Sequence, residues 1–96
     1  MPIRTLHTAS VEPYLGSGAY GDQYGAAYDL PGTYEGRRQL VRAGDGSEAV
    51  SEGTFYAEDA DVAPGSRVTV LGRTTYALTV SVFDGRRGSH VEIALA

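Results

Sequence analysis

The chain has no cysteine, so disulfides and thiolate metal sites are both excluded. It has no asparagine either, which removes N-glycosylation. Lysine and tryptophan are also missing, and all eight basic residues are arginine. An excess of positive charge is lacking as well: the net charge of −4 opposes non-specific binding to DNA, which needs clustered cations to displace counterions from phosphate. No apolar run approaches the length of a membrane span, and the first ten residues (MPIRTLHTAS) lack the apolar centre of a signal peptide. The expectation is a soluble protein made in the cytoplasm. Ninety-six residues, 42% of them hydrophobic, suit one small domain over 1–96, burying roughly 60–65% of its unfolded surface.

What the chain has instead is tyrosine and glycine, concentrated in one place. Tyr14 to Tyr34 (YLGSGAYGDQYGAAYDLPGTY) holds five of the seven tyrosines and five of the thirteen glycines. It shows no clear period, and long structureless connections in compact domains are usually functional or disordered. Tyrosine offers a large amphipathic contact surface with few rotors, and glycine lets the backbone conform to a partner. The segment reads as a docking loop, with Tyr20, Asp22, Tyr24 and Tyr28 as its contact residues. The spacing of Tyr20, Tyr24 and Tyr28 by four would suit one helical turn, but Gly21 and Gly25 oppose it.

Around this loop the pattern is of strands: Leu6 to Tyr14, closed by Pro13; Tyr34 to Arg42; Glu48 to Glu58; Arg67 to Leu71; Thr75 to Phe83; and His90 to Leu95. Turns are signalled by Gly44-Asp45-Gly46-Ser47, Pro64-Gly65, Gly72-Arg73 and Asp84 to Gly88. Gly53 inside the third strand points to a bulge or a close backbone approach. In the fifth, Tyr76, Leu78, Val80 and Val82 alternate on what reads as the inward face; in the sixth, Val91, Ile93 and Leu95 point inward and His90, Glu92 and Ala94 outward. Six short strands with turns between them predict an all-β fold, a small antiparallel six-stranded barrel or sandwich carrying one long loop; a barrel is preferred because closure removes open edges.

Candidate chemistry is sparse. Gly16 to Gly21 matches GxGxxG literally, but Pro13 precedes it and no helix pattern follows, so a pyrophosphate would lack its helix N-terminus. His7 and His90 are the only histidines, and no serine sits in a nucleophile-elbow sequence, so no catalytic residue is assigned. Glu58, Asp59 and Asp61 cluster without the ligand spacing of a calcium loop, so no metal or cofactor is expected. Arg37, Arg38 and Arg42 lie on the second strand; adjacent arginines on a strand face opposite sides, so Arg37 and Arg38 cannot both point inward. With Glu58, Asp59 and Asp61 they are candidates for salt bridges between subunits of an assembly, against the plainer reading of solvated residues that discourage aggregation.

The order of these pieces resembles the head-closure, or head-to-tail stopper, proteins of tailed phages, above all those of actinobacterial siphophages. The carriers are HTASVEPY at His7 to Tyr14, Ala19-Tyr20-Gly21-Asp22 and Tyr24-Gly25, Arg37-Arg38-Gln39-Leu40-Val41-Arg42, GSEAVSE at Gly46 to Glu52, Thr54-Phe55-Tyr56, Pro64 to Val70, the Gly72 turn with Tyr76, and His90-Val91-Glu92. The resemblance implies a non-enzymatic structural virion protein of the neck, assembled in the host cytoplasm. It implies a ring of identical subunits, dodecameric in the virion, with portal and adaptor proteins above, tail terminator or tail tube proteins below, and packaged DNA passing through the lumen without sequence-specific contact. It implies a loop between the early strands, matched here by Tyr20, Asp22 and Tyr24, that reaches toward the channel or the neighbouring subunits, helps retain packaged DNA and presents a platform to the tail. Two other readings fit the same residues: another neck or tail-completion ring protein, and a cellular β-barrel module whose tyrosines stack on a sugar or peptide.

Overall fold

A computed structural model describes residues 6–42, 46–58, 60–85 and 88–96. Eight strands run in the order β1 (His7–Glu12), β2 (Tyr14–Gly18), β3 (Gly21–Tyr24), β4 (Tyr28–Arg42), β5 (Glu48–Ala57), β6 (Arg67–Val70), β7 (Arg73–Gly85) and β8 (Gly88–Leu95). Six of them close an antiparallel barrel in the order β1-β4-β5-β8-β7-β6, with β6 returning to β1, while β2 and β3 form a separate two-stranded hairpin. The six-stranded barrel is the fold the strand pattern predicts.

A barrel of six strands is narrow, and its lining is accordingly small: Ala9, Val11, Leu30, Ala57, Val68, Val70, Ala77, Val91, Ile93 and Leu95 surround one large side chain, Phe55, which is fully buried. Two glycines make room for aromatic rings. A Cβ at Gly32 would run into the Tyr56 carbonyl oxygen and the Phe55 ring, and one at Gly53 would fall within the Tyr34 ring. Gly53 is therefore a site of close approach, one of its two expected roles. The one-residue bulge lies opposite, on β4, where Gly36 pairs with Gly53 but Gln39 pairs with Ser51.

The two mouths of the barrel are closed differently. Where β1 stops at His7, the Tyr34 N–H donates to His7 Nδ1 (3.0 Å), so a side chain continues the ladder. The buried Ser51 hydroxyl is shared between the carbonyls of Gly53 (2.9 Å) and Leu95 (3.0 Å) where β8 ends. At the opposite mouth the segment between β5 and β6 folds inward and buries Val62. Its Pro64-Gly65 turn is closed by the Ser66 N–H on the Ala63 carbonyl (3.1 Å), with Gly65 at φ +93°. The β6–β7 turn is tight: Leu71 and Gly72 both take positive φ (52° and 77°), the geometry that matches strand twist in two-residue hairpins.

Two expectations change. Tyr14 to Tyr34 is no structureless loop: β2 and β3 occupy its first half, and β4 already begins at Tyr28. Pro31 fits inside β4 because it sits where that strand pairs with β1 alone; pairing with β5 starts at Thr33. In β7, Leu78 is an extra residue between the pairs Ala77–Leu95 and Thr79–Ala94, so the alternation flips. Ala77 and then Val80 face the core, Tyr76 is turned outward, and Val82 is exposed although it pairs with the buried Val91. Val91, Ile93 and Leu95 do point inward; Ala94 faces out but is covered between Thr54 and Thr79 of the flanking strands. The expected Gly44-Asp45 and Arg86-Arg87 turn residues lie outside the described residues, although the pairs Arg42–Glu48 and Gly85–Gly88 bracket them.

Gly32→Ala tests the central fit. The obstacle is partly backbone, so the neighbours cannot simply rotate away, and the expected loss is about 2 kcal/mol or more in equilibrium urea unfolding. A variant as stable as the parent would show that the Phe55 ring does not depend on that gap.

Candidate functional site

Among the described residues the β2–β3 hairpin is the one element outside the barrel, and it is built from the glycines that made the segment look irregular. Gly18 pairs with Gly21 across a two-residue Ala19-Tyr20 turn, and Gly21 takes φ +101°. Gly16, at φ +119°, absorbs a bulge between the pairs Tyr14–Tyr24 and Gly16–Gln23. The base is tied by the Gly25 N–H to the Pro13 carbonyl (2.8 Å) and by the Tyr14 N–H to Ser66 Oγ (3.0 Å). Along the hairpin, Ser17 Oγ donates to Asp22 Oδ1 (2.8 Å), and the Tyr14 hydroxyl lies 3.0 Å from Ser17 Oγ.

Tyrosines then fasten the hairpin to the barrel wall. The Tyr24 ring sits 5.7 Å from the Tyr14 ring and 6.5 Å from that of Tyr76, both tilted, and the Arg67 guanidinium lies 4.4 Å from its centroid. Arg67 also reaches Glu12 (3.4 Å). Burial first, then the neighbouring Tyr76 and Asp22, push the Tyr24 phenol up from its ordinary value, with Arg67 opposing. Among the expected contact residues, then, Tyr24 is an anchor and Asp22 a strut. Tyr28 stands apart on β4, its hydroxyl 3.4 Å from the Asp61 carbonyl oxygen. Tyr20 stands furthest out: it is 99% exposed at the tip, with Leu15 at 66% on the strand behind it.

The charged candidates are dispersed. Arg37 and Arg38 fall at the β4 bulge, where the extra residue breaks strict alternation, and both are exposed. Arg38 lies 3.8 Å from Glu52 of the same chain, and Arg42 donates to the Gly46 carbonyl (3.2 Å). Glu58 and Asp61 are exposed at the other end of β5, and Asp59 lies outside the described residues. Among the described residues no group of three or more histidines and carboxylates could hold a metal ion. No helix there is long and apolar enough to cross a membrane. GxGxxG is spent on a hairpin, with no helix after it to hold a phosphate. His7 is occupied in the ladder, while His90 Nε2 lies 3.0 Å from Glu92 and the His90 ring stacks on Phe83 at 5.0 Å.

Strand alternation sets Tyr76 on the inward face, and neither it nor Arg67 is expected among the contact residues. Alternation of Arg67 and Thr69 with the inward Val68 and Val70 marks Arg67 as outward, but its meeting with Tyr24 depends on the fold-back of the hairpin, which no local pattern carries.

Tyr24→Ala is expected to undock the hairpin at a cost of about 1–2 kcal/mol, read as faster amide exchange in β2 and β3 with the core of the barrel still protected. Unchanged exchange would place the anchor elsewhere. The phenols of Tyr24, Tyr28 and Tyr56 are all raised, chiefly by burial, with Glu35 and Glu92 adding to the effect at Tyr56. The folded chain thus holds these protons more tightly than the unfolded one. Their contribution to stability is complete below pH 10 and fades as pH climbs through the raised folded values. Tyr56→Phe should flatten that alkaline loss in urea melts taken at increasing pH.

No family model matches this chain, and no match is found among curated proteins or among solved structures.

Proposed function

We propose that this chain is a structural protein of a phage neck, which assembles as a ring below the portal and adaptor, closes the filled head and offers the tail its platform. The observation that carries the reading is the Tyr20-tipped hairpin. It is inserted between the first and second strands of the barrel, where the resemblance to head-closure proteins implies an arm reaching toward the channel or neighbouring subunits. An arm with a fully exposed tyrosine at its tip is suited to contact with another protein. The acidic balance fits as well: a −4 chain can line a DNA channel without gripping the phosphates.

The arm differs from a segment that orders on assembly. Its backbone is paired and its base is fastened by Tyr24, so binding through Tyr20 needs little further ordering of the chain. Arg37, Arg38, Arg42, Glu58, Asp59 and Asp61 are placed by this proposal at contacts between subunits.

Electron microscopy of particles made without this gene is the direct test. Emptied heads beside finished, separate tails are expected; normal infectious particles would overturn the neck assignment and favour a cellular binding module. Tyr20→Ser refines it: the barrel should melt within a degree or two of the parent, because the side chain touches nothing, while head retention falls. Full retention with Tyr20→Ser would remove the arm from the closure.

A further inference from the structure

The β4–β5 hairpin outruns the barrel. Pairing of β4 with β1 ends at Gly32 and pairing of β5 with β8 begins only at Gly53, so among the described residues the stretch from Arg37 to Glu52 is a ribbon paired only with itself. Its inner face carries Gln39, Val41, Ala49 and the buried Ser51. Its outer face carries Arg38, Leu40 and Arg42 on β4 beside Glu52, Val50 and Glu48 on β5, all six exposed. Leu40 and Val50 stand directly opposite each other and remain 64% and 43% exposed. An apolar pair left open in this way, between a column of two arginines and a column of two glutamates, is the pattern of a contact surface more than of a solvated edge.

The charge columns specify the partner. We infer that this face docks on the same face of a second copy of the chain, about a two-fold axis running parallel to the strands. That rotation turns the face over and exchanges its columns, so Arg38 meets Glu52 of the partner copy, Leu40 meets Val50, and Arg42 meets Glu48, each twice. A two-fold axis across the strands would instead set arginine on arginine and glutamate on glutamate, and like-charge juxtaposition rejects it. Six side chains make a patch well below the roughly 800 Å² per partner of a standard interface, so the dimer is weak and salt-sensitive. The contact is isologous and so differs from the contact between neighbours in a ring. It describes the chain before assembly and stands or falls independently of the neck proposal.

The test is sedimentation velocity on the purified chain, from low micromolar up to about 1 mM, at low and high salt. The wild type should shift from monomer toward dimer with concentration, less so in high salt. Two double variants carry the specificity: Arg38→Glu with Arg42→Glu, which makes the face wholly acidic, and Glu48→Arg with Glu52→Arg, which makes it wholly basic. Each alone should associate at least about tenfold more weakly than the wild type, and an equal mixture should dimerise again. Circular dichroism of each variant checks that the barrel is intact, and recovery in the mixture cannot come from misfolded chains. A wild type that stays monomeric throughout overturns the inference. So does self-association of either variant at wild-type strength, or a mixture no stronger than its components. Rings in solution that neither double variant disturbs would overturn this contact while favouring the neck assignment.

Discussion

The fit of Phe55 over Gly32 is the constraint on which the rest of the fold depends. Six strands enclose little space, and this chain fills it with valine, alanine, three larger aliphatic side chains (Leu30, Ile93 and Leu95) and a single buried ring. The ring fits only because the facing strand has no side chain at that level. Gly53 repeats the device one layer away, where Tyr34 lies across the bare backbone and covers it. Both glycines have aromatic neighbours on adjacent strands, so the choice of glycine at 32 and 53 and the choice of ring at 55 and 34 are not separable. A substitution at any one of the four changes the demand on another, and their effects on stability should not add.

A core so small also limits how much of each strand it can cover. β4 and β7 are 15 and 13 residues long, far more than the height of the barrel wall they share. The excess emerges as two ribbons at opposite ends, β4–β5 beside the mouth held by His7 and Ser51, and β7–β8 beside the mouth closed by Val62. This gives the molecule its long axis of 43 Å against 28 and 26 Å. Exposed large apolar residues lie on the ribbons and the hairpin (Leu40 and Val50 on the first, Val82 and Phe83 on the second, Leu15 and Tyr20 on β2–β3), and Leu6, Tyr28, Leu71 and Tyr76 lie on the barrel strands and their ends. The barrel is thus a hub that orients three β-ribbons.

Where the sequence could be read, and where it could not, follows from the same geometry. β8 alternates without interruption, so Val91, Ile93 and Leu95 were legible as core. β7 shows alternation just as clean on paper, yet Leu78 is a bulge residue and the true inward positions are Ala77 and then Val80. A bulge shifts the face by one residue and leaves no mark in an alternating sequence of apolar and small residues. The tyrosine-glycine segment failed in the opposite direction. Gly16 and Gly21 read as looseness, but each sits at a positive φ that a bulge or a tight turn requires, so the glycines make the hairpin instead of dissolving it. The structure gives the contact residues named from sequence different surroundings, because whether a tyrosine anchors or protrudes depends on what lies beneath it. Tyr24 meets Arg67 and Tyr76, forty or more residues away; Tyr20 meets nothing.

That division between anchor and tip bears on how such an arm can bind. A flexible loop closing on a partner loses backbone freedom of about 1–2 kcal/mol per residue ordered, and an arm of this length would forfeit much of its contact energy. Here the ordering is already done within the chain, by four ladder pairs, the Ser17–Asp22 bond and the stack on Arg67. In the binding role proposed above, the exposed tyrosine could then place nearly all of its contact energy in a complex. Because the anchor sits on β6 and β7 of the barrel wall, the direction in which Tyr20 points is set by the barrel itself. In a symmetric assembly every copy would present its tip at the same height and angle, which a set of floppy loops could not do.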